Sequence, residues 1–239
     1  MKILCCALFL AGTLLFGGPE GPSQAPVGVY VEYEHPTSGS TSELIQDDVQ
    51  SILSPLGFDI QWRPTQAAGK EVWSDLAVVT FEGDCSFAAN SREKFVPGAL
   101  GWTRAVGADI QPFIGIDCRR IGSLLQTQMT SALTRNPQRL FARAVARVLA
   151  HELYHVFARS RAHQDSGVGK AEFTVKDLLM DRFQFHPEQA RLLRKTSQDD
   201  VRHFPASAET SPRRAAPEEP KSPTPSPTSS LYFPRAASQ

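Results

Sequence analysis

Charge of either sign is not in surplus in this sequence. Its 25 Lys and Arg are matched by 25 Asp and Glu, which excludes a global field drawing the chain to nucleic acid or to an anionic membrane surface. The partner must be read from a local site. The apolar run from Ile3 to Phe16 in "MKILCCALFLAGTLLFGG" falls short of the roughly 20 residues of a stable membrane span. With Lys2 before it and small, turn-forming residues in "GGPEGPSQA" after it, the run has the layout of a secretory signal peptide. Cleavage is expected between Gly18 and Ala25, which assigns residues 1–25 to the signal and the protein to a secreted or periplasmic location; an uncleaved anchor is the alternative. Cysteine is scarce too. Of four, Cys5 and Cys6 lie in the signal, too close to the N-terminus for a usual lipobox. Cys85 and Cys118 have no CxxC neighbour, which argues against a cysteine metal site, and in an oxidising compartment such a pair is most simply a disulfide.

No internal repeat is visible, and 239 residues with 41% hydrophobic content suit one buried core. The final stretch, residues 197–239, replaces periodic apolar positions with Pro, Ser, Ala and charge, and reads as a disordered tail. The folded domain is therefore expected over 26–196, as a monomer.

Within that domain "VGVYVEY" (27–33) alternates as a strand does. "TSELIQDDVQSILSPLG" places Leu44, Ile45, Val49, Ile52 and Leu53 at helical spacing before Pro55 and Gly57. "FDIQW", "DLAVVTFEG", "ALGWTRAV" and "IQPFIGID" follow as strands, the second apolar enough to be central. After Cys118 the pattern turns helical: "CRRIGSLLQTQ", then a long helix opened by Asn136-Pro137 and run to about Arg159, then "TVKDLLMDRFQF" and "PEQARLLRK". A mixed sheet followed by a long helix and C-terminal helices is an α+β plan.

The long helix carries "LAHELYHVFARSRAHQD" (149–165). His151 and His155 stand one turn apart on one face, so both imidazoles can reach a single ion. Projection at about 100° per residue puts Phe141, Val145, Leu149, Leu153 and Val156 on an apolar arc, with Glu152 at its edge towards the histidines. A carboxylate aimed inward costs several kcal/mol unless compensated. Water on a metal ion is such a partner, and Glu152 can take its proton.

"HELYH" with a downstream histidine resembles the zincin metallopeptidases, the metzincin branch above all. The resemblance implies a zincin-like fold, Zn²⁺ as cofactor, a peptide or protein substrate, His151 and His155 as metal ligands and Glu152 as general base. This chain departs from HExxHxxGxxH: Ala158 replaces the glycine, Arg161 replaces the histidine, and the spacing becomes HExxHxxxxxxxH with His163 as the expected third ligand. Glu172 and Asp165 are the acidic alternatives. His186 and His203 are read as surface residues, and Met180 as a core residue rather than a Met-turn. "DSGVGK" offers a tight Gly167/Gly169 turn beneath the site, and Tyr154 and Tyr30 are oxyanion candidates by type only. The expected function is a secreted zinc metallopeptidase with a substrate lying along a strand such as "ALGWTRAV". The alternative is a non-catalytic exported domain using the zincin scaffold for binding.

Overall fold

The computed structural model describes residues 25–87, 95–128 and 136–203. The expected signal segment, apart from Ala25, and the expected tail beyond His203 lie outside the described residues. Five strands, β1 (Ala25–Tyr33), β2 (Phe58–Pro64), β3 (Asp75–Glu82), β4 (Gly101–Val106) and β5 (Asp109–Asp117), form one sheet in the order β2-β1-β3-β5-β4. The pairings are parallel except β4 with β5. The apolar "DLAVVTFE" segment takes the central place expected of it, with Ala77, Val79 and Phe81 buried. β4 hangs on an edge, joined to β5 through a turn in which Gly107 takes φ 60°.

The helices are α1 (Gly39–Leu53), α2 (Cys118–Gln126), α3 (Pro137–Ala158), α4 (Val175–Leu179) and α5 (Pro187–His203). α1 buries Thr41, Ile45, Val49 and Leu53, one residue per turn, against α3. α3 starts where the sequence says it should: Asn136 accepts the Arg139 N–H and Pro137 fills the first turn. From Phe141 on, its residues are buried all round apart from the half-buried Arg143, because the sheet lies on one side and α1, α2, α4 and α5 close the others. The α+β plan thus holds, with α3 as its buried spine rather than a surface helix.

Two elements differ from expectation. The helix read over "TVKDLLMDRFQF" is a single capped turn, Val175–Leu179, and Met180 is 43% exposed rather than in the core. The physical reason is Arg147: its guanidinium donates to the carbonyls of Asp177 and Leu178, which ends the turn and lets Phe183 reach the core instead. α5 also runs beyond Ser197, where the tail was expected to begin, to His203. Cys85 and Cys118 form the disulfide, Cα atoms 5.0 Å apart, tying the segment after β3 to the first residue of α2. Among the described residues no helix is long and apolar enough to cross a membrane.

Candidate metal centre

His151 and His155 both project from the C-terminal half of α3, and both are buried. Each ring is fixed from behind. His151 Nδ1 lies 2.7 Å from the Val168 carbonyl oxygen and His155 Nδ1 lies 2.6 Å from that of Ser160. A ring nitrogen facing a carbonyl at such distances is the protonated donor, which leaves both Nε2 atoms with lone pairs. Those two atoms stand 3.1 Å apart. Two lone pairs so placed repel unless an electron-poor centre lies between them. Two nitrogens on a tetrahedral Zn²⁺ at about 2.0–2.1 Å would be roughly 3.3 Å apart. The backbone carbonyls supply the outer contacts that orient metal-binding histidines, so these residues fit a zinc ion.

His163 completes the group. Its ring stacks on His151 with centroids 5.3 Å apart and meets His155 edge-on at 4.9 Å. One ligand atom from each of the three lies within 4.8 Å of the others. His163 is exposed, so side-chain rotation can shorten the remaining gap. Among the described residues no other group of three or more His, Cys, Asp or Glu converges in this way. Asp165 and Glu172 are exposed and outside the group, although Glu172 lines the adjoining cavity. His186 is exposed, and the side chain of His203 is outside what the structure describes.

The missing glycine has a structural answer. Ala158 is the last helical residue of α3, and the turn falls one residue later, where the cap Arg159 adopts φ 48°, ψ 42° and its N–H bonds back to His155 and Val156. Arg161, standing where a metzincin would place histidine, reaches away to donate to the Gly107 carbonyl at 2.7 Å. The longer segment then returns His163 to the other two. "DSGVGK" supplies the wall behind His151: Gly167 takes φ 69° beside the Gln184 carbonyl, which presents the Val168 carbonyl to the ring.

Glu152 is buried, its Oε2 accepting a 2.6 Å hydrogen bond from Thr103 Oγ1. Burial pushes its carboxyl up to about 7, partly countered by that bond. Burial also lowers His151 to about 4 and His155 below its ordinary value, against the carbonyl bonds that favour their charged forms. All three effects describe side chains held without compensating charge. Gly101 makes the room: a Cβ there would sit 2.9 Å from Val148 Cγ1 and 3.1 Å from Glu152 Oε1. Two openings meet at Gly101, His151, Glu152 and Ala171. One, of about 650 Å³, is walled by Leu100, Leu124, Val148 and Phe173; the other, of about 400 Å³, runs past His155, His163 and Arg161.

Thr103, Gly101 and Phe173, whose ring stands edge-on to His151 at 5.3 Å, were missed from sequence. The signal for the first two was present: alternation in "GWTRAV" puts Gly101, Thr103 and Ala105 on the less exposed face and Trp102, Arg104 and Val106 outward. The tyrosines take no part of the kind considered. Tyr154 is fully packed between His155 and Phe185, and the Tyr30 hydroxyl accepts the Trp73 indole N–H.

Comparison with family models and with curated protein sequences gives no match. Among solved structures, archaemetzincin from Methanopyrus kandleri aligns with a TM-score of 0.42 at 14% identity, covering 74% of this chain and 97% of that one. The chemistry proposed below rests on this chain's own side chains.

Proposed function

We propose that this chain is an exported zinc metallopeptidase, with His151, His155 and His163 as the metal-holding set and Glu152 as the general base. The observation that carries the reading is the pair of Nε2 lone pairs converging at 3.1 Å beside a buried carboxylate. A structural zinc site needs four protein ligands and no base, whereas three nitrogens and an adjacent Glu leave a position open. When bound, zinc would polarise the scissile carbonyl and lower the pKa of water.

The protein's own residues do the rest. Glu152 accepts the proton of the attacking water and returns it to the leaving amine. Thr103 holds the carboxylate at the angle that faces both openings. β4 is an edge strand with one side unpaired in the sheet, so an extended peptide can add to it by main-chain hydrogen bonds and cross the histidines. The disulfide agrees with an oxidising, exported setting.

The test is zinc content and peptide hydrolysis measured on the same samples. Glu152→Gln is expected to keep stoichiometric zinc and lose hydrolysis by about 10²-fold or more; His151→Ala and His155→Ala are expected to lose both. His163→Ala losing neither, with Glu172→Ala losing both, would transfer the third position to the acid. Zinc in wild type and Glu152→Gln with cleavage in neither would leave the scaffold as a binding domain.

A further inference from the structure

One to two turns back from the histidines along the same stripe of α3, a second cavity of about 440 Å³ opens between α1, α3, the segment after α4, and α5, and it shares no lining residue with the two openings at the histidines. Four arginines line it, Arg143, Arg147, Arg182 and Arg194, against two aspartates, Asp48 and Asp181. Arg143 is within 3.8 Å of Asp48. Among the described residues, no carboxylate comes within 4 Å of the other three.

Arg147 is the unusual member. It is only 5% exposed, yet it is held by two backbone carbonyls and the face of Phe183, 4.7 Å from the guanidinium carbon. Carbonyl dipoles and a ring quadrupole orient a guanidinium without neutralising it. A buried cation with no carboxylate in direct contact is costly, and its planar fork matches an oxyanion with two acceptor oxygens. Burial, and Arg143 next to it, lower its pKa to about 10 even though Asp48 and Asp181 pull the other way, so the two more distant carboxylates compensate the burial only in part. The walls beside it are apolar: Ile52, Leu56, Phe183 and Phe185.

We propose that this cavity is a binding site for a small oxyanion-bearing ligand, a phosphate or carboxylate on a compact apolar body, with Arg147 gripping the anion from below and Arg182 and Arg194 closing over it. The volume suits a small molecule. The site is separate from the histidines and needs neither zinc nor hydrolysis, so it stands or falls independently of the peptidase reading.

The test is isothermal titration of the full chain with phenyl phosphate, phenylacetate, inorganic phosphate and, as neutral control, benzyl alcohol. At least one of the two aryl anions is expected to bind with a Kd below about 1 mM, more tightly than inorganic phosphate, while benzyl alcohol does not bind. Preference between the aryl anions identifies phosphate or carboxylate as the headgroup. The exposed pair Arg182→Ala/Arg194→Ala, which leaves the core untouched, is expected to weaken binding about tenfold, and Arg147→Lys, which keeps the charge but loses the fork, at least as much. Saturation by no probe, binding unchanged in both variants, or binding abolished by His151→Ala would each overturn the site, the last because it places the anion at the histidines.

Discussion

Glu152 and Thr103 show how a single hydrogen bond sets the chemistry of a buried acid. Removal of the surrounding water raises the carboxyl to about 7, and the Thr103 hydroxyl opposes that rise by favouring the charged form. Thr103→Val keeps the side-chain volume and deletes the donor. The pKa of Glu152 then moves further up, so the acidic limb of the pH-rate profile is expected to shift to higher pH, with kcat/KM near neutrality falling about tenfold. An unchanged limb would mean that Glu152 is not the group that titrates in catalysis. In zinc-free protein the same raised pKa has a stability consequence. Stability owed to the protonated acid is complete below its unfolded value near 4.5 and is lost as pH rises through about 7. Glu152→Gln is therefore expected to stabilise the chelated protein more at pH 8 than at pH 5, by about 2–3 kcal/mol at most, read from urea midpoints.

The end of α3 is an element-scale compromise. A left-handed residue is required there to turn the chain back towards His151 and His155, and the sequence supplies Arg159 rather than glycine. An L-residue in that conformation costs about 1–2 kcal/mol, of which glycine would recover part after its larger unfolded-state entropy is counted. The Arg159–Asp75 ion pair is long, 4.0 Å, and Arg159 is exposed, so its loss subtracts little. Arg159→Gly is expected to raise Tm by about 2 °C; a lower Tm would show that contacts of the arginine outweigh the backbone strain. Legibility follows the same division. Caps, periodicity and strand alternation are local properties, and they located α1, α3, the central strand and both helix histidines from sequence. Met180 was misplaced because what ends α4 is the Arg147 guanidinium, 30 positions away along the chain from Asp177. Thr103 was overlooked because its partner sits 49 positions away. The departures in the metal loop read as a missing glycine, when the structure relocates the turn by one residue.

At the scale of the whole molecule, binding of an ion at the histidines would be linked to the fold. His151, Glu152 and His155 lie in the most buried element, so a metal that binds only the folded state stabilises all of it by mass action. Free zinc at about 1,000 times its Kd would contribute about 4 kcal/mol, and scanning calorimetry is expected to show Tm falling by about 10 °C on chelation and recovering with added zinc. Equal Tm values with and without chelator would mean that no ion is held.

The disulfide has a consequence for what happens after damage. Cys85 and Cys118 are 33 positions apart, and between them lie β4 with Thr103, and the wall residues Phe95, Pro97 and Leu100. The sulfur link turns that stretch into a closed ring with the rim of the histidine site on its circumference. A single cut anywhere on the ring opens it without releasing either piece. Such a nicked protein would run as one chain on a non-reducing gel and as two after thiol treatment, and β4 would still be moored beside Glu152.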